Sequence, residues 1–387
     1  MIADRIHAVE ESKSVKMAAV IQELRAKGED IISFNVGEPD FPTPEPVIKA
    51  TKSALDQGHT RYALVPGEVF LREAIVKKLK RDQNLEIGIE NICLSNGSKQ
   101  VLYSIFQIIC NPGDEVIVPK PFWVSFPEAI KLASGKPVFT ESNNGHLDCK
   151  RIKEAITERT RAIVINSPNN PSGLLPKEDE LKELMEVAKK KGIYIISDEA
   201  YETLTYLDKP FIGPAGLSDP KLENTLIVQS FSKSYCMTGF RLGYVVASKE
   251  FTKAMAKLQS HVCGNVPVFI QKGALAALEN ESDIVNHMKN VFSRRMNLAY
   301  ERCKRIFPGT EKPEGAFYLF PKIDQKILKQ FGGDKELAMH ILKEAKVAIL
   351  PGSFFGEEGY LRICFATSDE LIEKGFNAIE TALKDYL

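Results

Sequence analysis

Four short stretches concentrate hydroxyls, amides, a lysine and acids beside Gly and Pro: Ser95-Asn-Gly-Ser-Lys-Gln100, Asn166-Ser-Pro-Asn-Asn-Pro-Ser-Gly173, Ser197-Asp-Glu-Ala-Tyr201 and Ser230-Phe-Ser-Lys-Ser-Tyr235. The last is the most informative. Ser230, Ser232 and, a little further on, Arg241 suit a phosphate, while Lys233 between them can form an imine with an aldehyde. Asp198 closes the apolar run Ile193–Ile196, where an acid is poorly solvated and needs a cation, a role that a pyridinium nitrogen would fill. Gly97-Ser98 stands where a strand turns into a helix, so its backbone N–H groups and the Ser98 hydroxyl can cradle an anion on the helix N-terminus.

Each feature has a plainer reading. Gly-Ser at such a turn is commonly a cap, Asp198 can cap a helix, and the lysine stretch can be a solvated loop. The loop reading is opposed by the flanks Leu226-Ile-Val and Leu242-Gly-Tyr-Val-Val, which read as buried strands and place the loop at a core edge. Ser230-x-x-Lys233 also has the spacing of serine acyltransferases of the penicillin-binding class, but the companion Lys-Thr-Gly is missing. Neither a P-loop nor a Gly-x-Gly-x-x-Gly dinucleotide turn occurs.

These stretches need elements to position them. From the Pro-rich passage Glu38-Pro-Asp-Phe-Pro-Thr-Pro44 to about residue 250, short β-branched runs alternate with helical stretches: Ile92–Ser95, Glu115–Val118, Ala162–Asn166, Tyr194–Ser197, Leu226–Gln229 and Gly243–Ala247. This is the rhythm of an α/β fold with a mostly parallel sheet, whose ligands bind beyond the carboxyl ends of the strands, so one cleft is expected to gather all four stretches. A helix is expected from about Ser12 to Lys27, with Val15, Ala18, Ile21 and Leu24 on one face and Gly28 as its stop, followed by extended Ile31–Phe34. After a helix-rich stretch to about Phe307, extended runs Phe317–Phe320 and Tyr360–Ala366 flank a helix, and a last helix runs through Asp385.

A chain of 387 residues exceeds one simple core, which predicts a large domain plus a smaller one. With no internal repeat or linker tract, the two are expected to be interwoven. Equal numbers of basic and acidic side chains, 51 each, give no electrostatic case for nucleic acid or membrane partners. Seven scattered cysteines without a paired spacing fit a reduced compartment, no metal site is indicated, and Asp4, Glu10 and Glu11 stand where a signal peptide would be apolar. A cytoplasmic location follows as the expectation.

In family order along nearly the whole chain run Asn35-Val-Gly-Glu-Pro-Asp-Phe41, Tyr62 with Gly67 and Leu71-Arg-Glu-Ala, Asn96-Gly-Ser-Lys-Gln, Pro121-Phe-Trp-Val-Ser, Asn166 to Gly173, Ser197-Asp-Glu-Ala-Tyr, Ser230-Phe-Ser-Lys, Gly239-Phe-Arg-Leu-Gly, Glu314-Gly-Ala-Phe-Tyr and Leu361-Arg-Ile-Cys-Phe-Ala. This set resembles the class I aminotransferases of the fold-type I pyridoxal-phosphate enzymes, especially bacterial aspartate aminotransferases. The resemblance implies a large domain over residues 45–282 and a smaller α+β domain from residues 1–44 and 283–387. It implies pyridoxal 5'-phosphate as cofactor, with Lys233 as anchor and base, Asp198 on the pyridine nitrogen, and Asn170 and Tyr201 on the phenolic oxygen. Trp123 is implied to stack on the ring, and Gly97, Ser98, Lys99, Ser230, Ser232 and Arg241 to line the phosphate side, joined by Tyr62 from the second subunit of a homodimer.

For the substrate, the resemblance implies Arg362 on the α-carboxylate, with Gly37, Trp123 and Asn170 alongside, and Lys99 with a hydroxyl near Ser14 on a distal carboxylate. L-aspartate as donor, 2-oxoglutarate as acceptor and a ping-pong course are the leading expectation. His261-Val-Cys-Gly-Asn265 and Leu64-Val-Pro66 depart from the family pattern, so aromatic or other amino acids remain as alternative donors. A pyridoxal-phosphate-dependent lyase on the same fold is the alternative chemistry. A pyridoxal-phosphate-binding regulator would carry a DNA-binding domain before residue 12, where the resemblance begins, and none is expected.

Overall fold

A computed structural model describes residues 2–11, 13–207, 211–218 and 221–387, with the side chains of residues 13–16, 18 and 215 outside that description. Its strands, in chain order, are β1 (Ile32–Ser33), β2 (Ile92–Ser95), β3 (Glu115–Pro119), β4 (Lys136–Thr140), β5 (Thr160–Asn166), β6 (Tyr194–Asp198), β7 (Thr225–Ser230), β8 (Gly243–Val246), β9 (Tyr318–Leu319), β10 (Val347–Ala348), β11 (Leu350–Pro351) and β12 (Leu361–Cys364). Seven of them form one sheet in the order β2-β8-β7-β6-β5-β3-β4. Neighbours run parallel except at β8, which is antiparallel to both β2 and β7.

The sheet forms where β-branched residues can be buried on both faces. Alternate residues of β5 and β6 point to opposite sides: Ala162, Val164 and Ile196 join the cluster around Ile105, Phe106 and Phe126, while Ile163, Ile165 and Ile195 join the one around Leu181 and Leu184. Burial of side chains such as Ile195 and Ile196, both at 0% exposure, contributes ~2 kcal/mol each. A third cluster on the sheet, around Leu71, Ile75, Ile92 and Ile227, is closed by helices Val69–Gln83 and Val268–Glu279.

A separate apolar cluster gathers Phe34 with Phe292, Phe317, Leu337, Ile341, Ile363 and Phe376, so it draws on both ends of the chain. β1 pairs in parallel with β10, and β12 lies between β11 and β9. Two differences from the expectations stand out here. Edge strand β4 was not anticipated from its sequence Lys-Pro-Val-Phe-Thr. Two helices, Gln325–Phe331 and Asp334–Glu344, stand where one was expected, split at Gly332 (φ 84°) and Gly333 (φ 149°), and strands β10 and β11 follow them. On the N-terminal helix Lys13–Ala26, Met17 and Ile21 make the buried stripe with Leu24 half-buried, while Val15 and Ala18 lie outside the described side chains.

Candidate active site

Register brings the polar strand ends to one edge of the sheet. Asn166 of β5 pairs with Asp198 of β6, and Gly243 of β8 is partnered by Ser230 of β7 on one side and Ser95 of β2 on the other. All four polar stretches therefore reach one cavity of about 450 Å³, which contains Ser98 and Lys99, Asn166 and Asn170, Asp198 and Tyr201, and Ser230, Ser232 and Lys233. Gly37, Trp123, Arg241 and Arg362 line the same cavity. No group of acidic, His and Cys side chains among the described residues is arranged to hold a metal ion.

At one end, helix Ser98–Ile109 opens with its N-terminus toward this edge. Gly97 adopts φ 86°, and a Cβ there would stand 2.8 Å from the Arg241 guanidinium. Gly243 is required for the same reason, since a side chain would collide with the Ser98 backbone nitrogen. Free N–H groups, the Ser98, Ser230 and Ser232 hydroxyls and Arg241 make an anion-binding end. Ser230 also caps the one-turn helix Phe231–Ser234, its hydroxyl accepting from the Ser232 N–H at 3.1 Å, and this turn carries Lys233 into the cavity.

Lys233 Nζ donates to the Gly37 carbonyl at 2.6 Å. Burial lowers its proton affinity, the Arg241 and Arg362 charges add to that effect, and Glu38 and Cys364 oppose it. Asp198, 5% exposed, leaves Oδ1 without a hydrogen-bond partner. Burial pushes its carboxyl up to about 7, against the pull of the Ala200 N–H, with Glu199 adding to the rise. The chain after Asp198 enters a turn rather than a helix, so the capping reading of this acid does not apply. A buried acid with an orphaned oxygen is complete only beside a cation.

Opposite stands Arg362 on β12, 6% exposed. Its Nη1 donates to Asn170 Oδ1 at 3.1 Å and its Nη2 to the Asn35 carbonyl at 2.6 Å, while Nε has no partner. The guanidinium lies 4.7 Å from the Tyr318 ring centre and 4.9 Å from that of Phe355. A fixed planar cation with an unspent donor suits a carboxylate. Tyr318 also shares a hydrogen bond with Tyr201, hydroxyl to hydroxyl, at 2.8 Å. Lys99 Nζ sits 5.1 Å from the Trp123 ring centre, its proton affinity lowered by burial and then by Arg241.

Of the predicted residues, Tyr62 is not among those lining the cavity. Tyr62 is 98% exposed, and the Ser14 side chain lies outside the described residues. Sequence reasoning missed Asn35, Tyr318, Phe355 and Gly243 as parts of the site. Tyr318 stood within the quoted Gly-Ala-Phe-Tyr run, whose signal was that of a buried strand.

The family described as "Aminotransferase class I and II" matches residues 29–379. A protein of Aquifex aeolicus named "Probable aspartate/prephenate aminotransferase" is 44% identical over 391 residues, covering 99% of each chain. The "Aspartate aminotransferase" of Bacillus subtilis is 43% identical over 98% of each. The crystal structure of aspartate aminotransferase from Thermotoga maritima superposes with a TM-score of 0.92 at 36% identity, over 99% of this chain and 100% of that one. A likeness of that extent, over a cavity with these residues at the sheet edge, places the chain in the class I and II aminotransferase family.

Proposed function

We propose that the cavity binds pyridoxal 5'-phosphate and that the chain moves the α-amino group of L-aspartate to 2-oxoglutarate in two successive half-reactions. The observation that carries this reading is the buried Asp198, with one oxygen unpaired, in the same cavity as Lys233 and Arg362. A cofactor with a protonated ring nitrogen gives Asp198 the cation it lacks, and a phosphate suits the Ser98, Ser230, Ser232 and Arg241 end. The residues present therefore fit the group. When bound, it supplies a carbonyl carbon for the amino nitrogen and a ring that accepts electron density.

Lys233 would be the anchor and, once released, the base whose Nζ moves the proton from the substrate's Cα to the cofactor's carbonyl-derived carbon, a task suited to an amine whose proton affinity burial has lowered. Asp198 holds the ring nitrogen's proton. Asn170, whose Oδ1 serves Arg362, offers its amide N–H groups to the phenolic oxygen beside the Tyr201 hydroxyl. Arg362, with Gly37 and Asn170 alongside, grips the α-carboxylate, and Trp123 supplies a ring face. Lys99, in the same cavity, is assigned to a distal carboxylate, which favours a dicarboxylic substrate.

Tyr62, fully exposed in the single chain with Leu64 at 48% and Val69 at 40%, is assigned to the phosphate site of the second subunit of a homodimer. Residues 45–282 are proposed as the large domain, and 1–44 with 283–387 as the small one; position 282 falls in the first turn of helix Glu281–Ile306. No helix among the described residues is long and apolar enough to cross a membrane, and all seven cysteines are free, which supports a reducing, cytoplasmic setting.

A second donor class is favoured by the aromatic lining of Trp123, Tyr318 and Phe355. The deciding experiment follows the visible spectrum of the purified holoprotein. The band of the lysine-bound cofactor is expected to disappear with L-aspartate and return with 2-oxoglutarate. A band indifferent to aspartate but lost with an aromatic donor would transfer the assignment to the second class, and no band after added pyridoxal phosphate would end both.

A further inference from the structure

The two tyrosines at the cavity floor are joined in a way that neither position alone requires. Tyr201 follows β6 by three residues and Tyr318 opens β9, yet their hydroxyls lie 2.8 Å apart in a buried pair separated by 117 positions. Their rings meet edge to face, with centres 5.8 Å apart at 82°. Each hydroxyl carries one proton, so within the pair one donates and the other accepts. If Tyr201 gives its proton to an oxygen in the cavity, Tyr318 must be the donor to Tyr201, and the two bonds then reinforce each other. Orientation is set from the other side: the Tyr318 ring carries the Arg362 guanidinium on its face at 4.7 Å, and the bare backbone of Gly37 leaves room for the Tyr318 hydroxyl, which any Cβ there would strike.

We propose that Tyr318 is a positioning residue with two separable duties: its hydroxyl orients and strengthens Tyr201 as donor to the anionic oxygen of the ligand, and its ring seats Arg362 for the carboxylate. This rests on the role given to Tyr201 under the proposed function. The duties separate because one belongs to a single oxygen atom and the other to the ring. Tyr318→Phe deletes the first and keeps the second, whereas Tyr318→Leu deletes both.

The test is the pH titration of the visible band in the holoprotein, run for wild type, Tyr318→Phe, Tyr201→Phe and the double variant, together with KM for several amino donors. Losing the Tyr318 hydroxyl weakens the stabilisation of the oxygen anion, so the titration midpoint is expected to rise by about half to one pH unit in Tyr318→Phe. Because Tyr318 acts through Tyr201, the double variant is expected to titrate with Tyr201→Phe and no higher. KM should stay within about twofold in Tyr318→Phe and rise severalfold, alike for all donors, in Tyr318→Leu. An unmoved midpoint in Tyr318→Phe beside a shifted one in Tyr201→Phe overturns the inference while leaving the proposed function intact. Additive shifts in the double variant also overturn it. An unmoved midpoint in Tyr201→Phe itself removes the Tyr201 role, and the inference with it.

Discussion

Replacing Asp198 with Asn should make the cofactor-free protein more stable, and by an amount set by pH. Burial takes the Asp198 carboxyl from an ordinary 3.8 to about 7. Between those values the unfolded chain has released this proton while the folded chain keeps it, so stability falls as pH rises through the window and stays low above it. About three pH units at ~1.4 kcal/mol each gives a penalty of ~4 kcal/mol at pH 8, an upper value because the site can relax. Asn cannot ionise and escapes it. At roughly 0.8 kcal/mol per degree of unfolding entropy for a chain of this length, the Asp198→Asn apoprotein should melt ~4–5 °C above wild type at pH 8 and level with it near pH 4. Calorimetry of the two apoproteins across this range, with pyridoxal phosphate removed and confirmed absent by absorbance, reads the effect directly. Adding the cofactor should reverse the order, since only Asp198 is stabilised by a ring cation. A melting difference that does not change between pH 4 and pH 8, or a wild-type apoprotein that melts higher at pH 8, would refute the reasoning.

Arg362→Lys should raise KM about tenfold for every amino donor alike, because lysine cannot reproduce the two-bond planar grip; steady-state kinetics on three unlike donors checks this. Lys99→Ala should raise KM for aspartate and 2-oxoglutarate at least tenfold more than for an aromatic donor, measured as a ratio of kcat/KM values, and equal losses would remove Lys99 from substrate choice. Lys78→Met should cost ~3 kcal/mol of stability, because it leaves Glu202, 3.0 Å away and buried, without its cation; adding Glu202→Gln should recover most of the loss in the same denaturation assay.

The outcome at Lys78 also shows where the sequence is legible and where it is not. The strands of the sheet core could be placed within one or two residues because buried β-branched runs between turn residues have few other uses, whereas β4, with its half-exposed Lys-Pro-Val-Phe-Thr, gives no such signal. Lys78 sits in Val-Lys-Lys-Leu-Lys-Arg, a run that reads as a solvated helix face, yet its side chain is 2% exposed. The partners that bury it, Glu202 and Asp82, are 124 and four positions away, and only the nearer could be guessed from helical spacing. Tyr318 was obscured in the same way. Its value lies in Tyr201 and Arg362, contacts made in space that leave no local pattern, while Lys233 and Asp198 were visible because strand ends expose their chemistry in sequence.

That difference follows from how the cavity is assembled. Asp198 ends β6 and Lys233 follows its neighbour β7, while the Ser98 turn follows β2, joined to β7 through β8, so the hydrogen-bond register of one sheet fixes their mutual placement. The proposed carboxylate site at Arg362 has no such frame. Arg362 lies on β12 and donates to the Asn35 carbonyl 327 positions earlier, in a segment that β1 holds against β10 and that the Phe34 N–H anchors to the Ala348 carbonyl. The Cys364 N–H returns a bond to the Phe34 carbonyl, so β12 and the residues after β1 hold each other in place. The proposed α-carboxylate site is therefore a joint property of the two ends of the chain, and damage to the packing of Phe34 against Phe376, ring centres 5.6 Å apart, should reach KM before it reaches binding of the proposed cofactor at Asp198 and Lys233.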